Sequence, residues 1–240
     1  MKTLTKTFIQ TAISAAIIST TLLMAASEVT TKQETTSKLL TANFESRQVV
    51  QIEAGDFHFI AGQVAPIHTH SAPAVGYVSK GAIIYQIEGE EPQLLNEGDA
   101  FYEPVGPRIL RFDNASATEE AVFIDFNLQQ AGEPFIVFEK PLTENIDRRT
   151  LPTTDLKDQK LQQVDMFITE LEQGGLKKLN IQVPILGYVA EGVINLKIKG
   201  QAGKRIVAGS TFSLSESDSI AVIVNDSDEV TAKVVSFYLR

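Results

Sequence analysis

Residues 73–126 lie over residues 184–237 at a constant offset of 111, without a gap and with 15 identities in 54 positions. The stretch "PAVGYVSKGAIIYQIEG" answers to "PILGYVAEGVINLKIKG", and Gly98, Phe101, Asn114 and Phe126 recur as Gly209, Phe212, Asn225 and Phe237. Unrelated segments share only a few such positions, so the chain holds two copies of one unit. Any fold proposed for one copy must therefore suit the other, and both must fit within 240 residues.

Within each copy, apolar residues alternate with polar ones between glycine-bearing turns, the pattern of short strands. Ile83, Tyr85 and Ile87 share one face and match the apolar Ile194, Leu196 and Ile198, whereas Gln86 and Glu88 match Lys197 and Lys199. The first set is expected to face a core and the second to face water. No strong amphipathic helix interrupts the strands, which points to an all-β fold of two tandem β-barrels or jelly rolls. The reading assigns 44–130 to the first barrel and 161–240 to the second, with 131–160 as a connecting segment. That segment contains "EPFIVFEKP", an expected extra strand, and "TLPTTDLKDQK", an expected polar linker. "GEEPQ" reads as a charged hairpin turn.

The N-terminus opens with a short basic region, "MKTLTK", followed by the mostly apolar "FIQTAISAAIISTTLLMAA" and a small-residue end at Ala25, Ala26 and Ser27. This is the layout of a secretory signal peptide, residues 1–26, cleaved near Ala26. An uncleaved anchor is the competing reading, but Gln10, Thr11, Ser14, Ser19, Thr20 and Thr21 make the run less apolar than most spanning helices. The mature protein is thus expected to be exported, to the periplasm of a Gram-negative source, with no stable membrane insertion. Polar, Thr-rich residues 27–43 are expected to form a flexible leader. A formal net charge of −9 argues against nucleic acid or an anionic membrane as partner. With no cysteine, disulfides, thiolate metal ligands and thiol nucleophiles are excluded.

Two of the three histidines, His68 and His70, sit two apart in "GQVAPIHTHSAPAVGYVSKG". That spacing puts both imidazoles on one face of a strand, where they could grip a metal ion. The first copy resembles the cupin superfamily on these residues. The first motif of that family, a glycine, five residues, His-x-His and a later glycine, is met by Gly62, His68, His70 and Gly81. Its second motif is met by Gly98, Pro104 and Gly106 in "GDAFYEPVGPRILRFDN", with Asn114 one place late. The resemblance implies two cupin-type jelly-roll barrels, each with a pocket at its mouth. Family metal sites use His, His, Glu and a further His, and here the last two positions fall on Ala74 and Ile109. In the second copy the four positions are Leu179, Ile181, Ile185 and Ile220, all aliphatic.

Two imidazoles alone hold a divalent ion weakly. Glu103 is the candidate third ligand, because its repeat partner is Leu214 and it shares strand parity with Phe101. Tyr85, Glu103, Arg108 and Arg111 are candidate ligand-binding residues. His58, between Phe57 and Phe59, is expected to point outward, Asp99 to serve a turn, and Tyr77, which recurs as Tyr188, to serve structure. The cofactor expected is at most one weakly held divalent ion, of Mn, Fe, Ni, Cu or Zn. Two functions remain open. One is an exported protein that binds a small molecule in its N-terminal barrel, the C-terminal barrel being structural. The other is a metal-dependent dioxygenase, isomerase or lyase built on His68 and His70. The two barrels are expected to pack face to face in a monomer, with homo-oligomers open.

Overall fold

Strands carry most of the described residues. The first copy contains β1 (Glu34–Phe59), β2 (His68–Thr69), β3 (Ala74–Lys80), β4 (Ala82–Ile87), β5 (Gln93–Asn96), β6 (Ala100–Glu103), β7 (Ile109–Asn114), β8 (Ala121–Gln129) and β9 (Val137–Phe138). The second contains β10 (Asp147–Leu171), β11 (Leu176–Asn180), β12 (Ile185–Glu191), β13 (Val193–Ile198), β14 (Lys204–Val207), β15 (Thr211–Leu214), β16 (Ile220–Asn225) and β17 (Ala232–Leu239). The structure, a computed structural model, describes residues 34–142 and 145–240, without the side chains of 153–158. The expected signal segment lies outside the described residues. Among them, no helix is long and apolar enough to cross a membrane.

One eight-stranded sheet, in the order β15-β12-β17-β10-β1-β8-β3-β6, runs through both copies. Its two halves are related by the repeat, with β1 and β10 as the central seam. Each half is faced by a sheet of its own copy, β5-β4-β7-β2-β9 in the first and β11-β16-β13-β14 in the second. The result is two antiparallel jelly-roll barrels, as the alternation and the repeat imply.

The seam departs from expectation. The leader expected over 27–43 is strand from Glu34 onward, and the linker expected within 131–160 is strand from Asp147 onward. The first half of β1 pairs with the second half of β10, which in turn pairs with β17; the second half of β1 pairs with β8. Each long strand thus belongs to both barrels. Exposed Thr35, Thr36 and Ser37 satisfy their backbones in this ladder with few apolar contacts, so no alternation betrays them. The expected strand in "EPFIVFEKP" shrinks to β9, two residues that pair with His68 and Thr69.

The outer faces of the half-sheets pack together across the seam, and equivalent residues meet there. Tyr77 lies 6.3 Å from Tyr188 and Phe126 lies 4.6 Å from Phe237, ring centre to ring centre. Contact between a residue and its own repeat partner marks an approximate two-fold axis, so Tyr77 and Tyr188 are structural. The recurring glycines have steric reasons. A Cβ on Gly76 would lie 2.0 Å from the Phe101 ring, and one on Gly187 2.0 Å from the Phe212 ring. Gly81 and Gly192 hold φ of 73° and 76°, the left-handed region that glycine enters without strain.

One register detail corrects the alignment of the copies. In the first barrel Gln86 pairs with Arg111 but Ile87 pairs with Ile109, leaving Leu110 as the extra residue of a bulge. In the second, Lys197 pairs with Val222 and Ile198 with Ala221, without interruption. Ile109 therefore corresponds in space to Ala221, both fully buried, while Ile220 turns partly outward. A one-residue slip exchanges the two faces of a strand.

Candidate metal centre

His68 and His70 both point into the first barrel, 3% and 2% exposed. β2 is held between β7 and β9, with His68 opposite Ile109 on one side and Phe138 on the other. His70 bridges to Val105 just past β6. The imidazole rings lie 5.3 Å apart, centre to centre.

Glu103 ends β6 and is the direct cross-strand partner of Ala74. Opposed residues on neighbouring strands project from the same face, about 5 Å apart at Cβ. The small side chain of Ala74 leaves room, and the Glu103 carboxylate fills it, 3% exposed. A carboxylate absent from the first-motif position is thereby supplied from the adjacent strand. Its oxygens lie 3.5 Å from His68 Nε2 and 3.2 Å from His70 Nε2. One ligand atom from each of the three residues falls within 4.8 Å of the others.

Hydrogen bonds orient the imidazoles. His68 Nδ1 lies 2.8 Å from the Pro66 carbonyl, which can only accept, so Nδ1 carries a proton and Nε2 is turned toward Glu103. His70 Nδ1 lies 3.2 Å from the side-chain amide of Asn127, whose Nδ2 donates to the Phe135 carbonyl at 2.9 Å. Burial pushes the His70 pKa down, but the Glu103 carboxylate outweighs it and holds the ring up at about 9. For Glu103 burial acts upward, and the imidazoles of His70 and His68 outweigh it, bringing the carboxyl down to about 2. Without metal, the site is thus a buried ion pair.

That pair is incompletely satisfied, because His70 Nε2 and Glu103 Oε1 are buried without hydrogen-bond partners. Buried polar atoms are normally paired, and unpaired ones are costly. Two imidazole nitrogens and one carboxylate form a donor set suited to divalent first-row transition metals, with positions left over for water or substrate. The residues fit such an ion.

Sequence reasoning missed Asp125. It sits on β8, points into the same space and is 3% exposed. Burial first, then the charge of Glu103, pushes its carboxyl up to about 8. The signal was present in the repeat, where Asp125 answers to Ser236, but serine is itself polar and the contrast is weak. Behind Asp125, Arg148 from β10 binds Glu53 at 2.5 Å and lies over the Phe135 ring at 3.8 Å.

A cavity of about 30 Å³ adjoins His68, Glu103 and Asp125, and its other walls are Phe57, Phe59, Ala65, Phe112, Phe123, Ile136, Phe138 and Ile146. Outside it lies a cleft of about 420 Å³ formed by Gly62 to Pro66, Lys140, Pro141 and Ile146. Ala65 and Ile146 border both spaces, so they separate the cavity from the surface.

The other candidates are placed elsewhere. The Tyr85 hydroxyl donates to the Tyr102 carbonyl at 2.6 Å, and its ring packs on Phe112 and Phe101 beneath the cavity. Arg108 points outward to Glu139 and Glu88, and Arg111 turns back to Asp113 at 2.7 Å. Arg111 alternates with the inward Phe112, which forces it to the outer face. None of the three lines the cavity. His58 points away from the core, between Asp56 and Glu120, and Asp99 accepts from the Asn96 amide in its turn, both as expected.

In the second barrel, Leu179, Ile181, Ile185 and Leu214 pack into one apolar cluster. Ile185 pairs with Leu214 as Ala74 pairs with Glu103. The plan is shared and the chemistry is not.

Residues 55–127 match the family described as "Cupin domain". No curated protein matches the chain by sequence. Similar solved structures include the salicylate 1,2-dioxygenase of Pseudaminobacter salicylatoxidans, with a TM-score of 0.52 and 13% identity over 79% of this chain and 71% of that one. Procruciferin, an 11S globulin of Brassica napus, has a TM-score of 0.59 and 8% identity over 89% and 86%. YhaK of Escherichia coli has a TM-score of 0.53 and 11% identity over 83% and 92%. At these identities the likeness is one of fold, and a dioxygenase and a globulin share it.

Proposed function

We propose that the chain is a two-barrel member of the cupin superfamily, whose family model its residues 55–127 match, and that its N-terminal barrel holds one divalent transition-metal ion and acts on a small molecule beside it. The C-terminal barrel serves as structure. The observation that carries this reading is the placement of Glu103 opposite Ala74, against both imidazoles, where the second barrel has only Leu214 and Ile185.

His68, His70 and Glu103 would hold the ion, and an ion there supplies Lewis acidity to an oxygen or nitrogen atom bound next to it. Pro66 and Asn127 fix the imidazole orientations. The aromatic wall excludes bulk water and lowers the local dielectric, which strengthens every charge interaction inside. Ala65 and Ile146 lie where a substrate in the outer cleft would meet the cavity. The mature chain acts after export and removal of residues 1–26; the basic start, apolar run and small-residue end support this. It works as a monomer, since the shared sheet already joins two barrels; light scattering that found only a larger assembly would overturn that.

The narrow cavity favours a second reading, in which the Glu103–His70 pair is structural and no metal binds. Metal analysis of the untagged mature protein decides between them. Near one Mn, Fe, Ni, Cu or Zn per chain, lost in His68→Ala and Glu103→Gln, is expected. No metal after incubation with each ion would leave only the structural pair.

A further inference from the structure

We propose that Asp125 binds a water-sized ligand in the cavity beside the His68–His70–Glu103 centre, as a positioning residue that is not itself a metal ligand. The proposal rests on the metal-centre reading and adds a fourth residue to it.

In register across the sheet, Asp125 is flanked by Gly55 on β1 and Gly76 on β3. Neither neighbour has a side chain to pair with it. The space above Gly76 is taken by the Phe101 ring, and that above Gly55 by Phe57 and Arg148. Arg148, which adjoins Gly55, already binds Glu53. Asp125 Oδ1 is left buried and without a hydrogen-bond partner.

The cavity that Asp125 borders is otherwise walled mainly by phenyl rings and aliphatic carbon, apart from His68 and Glu103. A ligand in it can hydrogen-bond to few groups besides Asp125. A volume of about 30 Å³ matches the share of one water in the liquid and exceeds what a single water needs. The ligand is therefore water, or a molecule of two or three heavy atoms carrying a hydrogen-bonding atom.

The repeat supports a role beyond packing. Ser236 takes the equivalent place in the second barrel, beside Gly187, and is just as buried. A serine thus suffices for the sheet. The longer carboxyl in the first barrel reaches toward the centre, and Asp125 lies outside the three-residue group that can share one ion.

The test uses the full mature protein loaded with Zn(II), and with Co(II) for its visible spectrum, in wild-type, Asp125→Ser and Asp125→Asn forms. Asp125→Ser imports the residue that the second barrel already accommodates, and Asp125→Asn keeps shape and hydrogen-bonding capacity. All three are expected to bind the same amount of metal. Crystals of the wild-type and Asp125→Asn proteins should show an ordered water within hydrogen-bonding distance of residue 125 in the cavity. In Asp125→Ser that water should be lost and the Co(II) band should move. Equal metal content with the water and the band unchanged in Asp125→Ser would overturn the proposal and leave the metal centre standing. Loss of metal in Asp125→Ser and Asp125→Asn alike would make Asp125 a ligand, overturning its assigned role. Absence of metal from the wild-type protein would overturn both the centre and the proposal.

Discussion

At four places where the N-terminal barrel points a polar group toward its centre, the C-terminal barrel has an aliphatic or shorter one: Leu179 for His68, Ile181 for His70, Leu214 for Glu103 and Ser236 for Asp125. The strands that present them are the same, and Gly76 and Gly187 admit the same aromatic ring at the same place. The second barrel shows what the fold needs, which is an apolar interior. The polar cluster of the first barrel is thus an addition to the fold. It also carries a cost, since buried charges are less stabilising than well-packed carbon unless something uses them.

Breaking the cluster at one point should have the largest effect. Glu103→Ala leaves protonated His70 buried without its counter-charge, and at pH 6 we expect a loss of about 3–5 kcal/mol in denaturant unfolding of the metal-free protein. Replacing the whole cluster by its counterpart should do the opposite. His68→Leu, His70→Ile and Glu103→Leu together should abolish metal binding, yet leave the metal-free protein as stable or up to about 1–4 kcal/mol more so. If the triple variant fails to fold, the two interiors are not interchangeable and the comparison breaks.

Gly76→Ala and Gly187→Ala should be alike, because each puts a methyl into a phenyl ring. Both should destabilise by about 1–3 kcal/mol as overpacking. A large difference between them in thermal unfolding would show that the barrels diverge in structure as well as in chemistry.

The titrations have a definite sign. The folded pKa of His70 is raised from 6.5 to about 9, so its contribution is full below pH 6.5 and fades as pH rises through 9. Asp125, raised from 3.8 to about 8, acts in the same direction between those values. Glu103, lowered from 4.5 to about 2, loses its contribution only as pH falls through that lower range. Metal-free protein should therefore lose stability from pH 6.5 to 9, and the triple variant should lose less over the same span. Metal binding should strengthen over this span, because His70 must release its proton to become a ligand. At the small end, Arg108→Ala removes two outward ion pairs and should change neither metal content nor unfolding measurably.

Much of this was legible in the sequence, chiefly through the repeat. Period-2 alternation gave the strands, and Leu214 opposite Glu103 in the alignment marked an inward carboxylate. What the alignment could not show is that Glu103 lies directly across from Ala74, since pairing between β3 and β6 is a long-range fact. The seam was invisible for a different reason. The start of β1 is exposed, so its strand state depends on the partner β10 and on no pattern of its own. The bulge at Leu110 hid the true counterpart of Ile109, because one extra residue changes facing without disturbing the alignment.

The central claim is best tested by anomalous diffraction from crystals of the untagged protein, with data on both sides of the Mn, Fe, Ni, Cu and Zn edges. The account predicts one metal peak per chain, about 2.0–2.2 Å from an imidazole nitrogen of His68, an imidazole nitrogen of His70 and a carboxylate oxygen of Glu103, and none within the C-terminal barrel. Crystals soaked in each ion that show no peak there, with Glu103 still closed on His70, would contradict it.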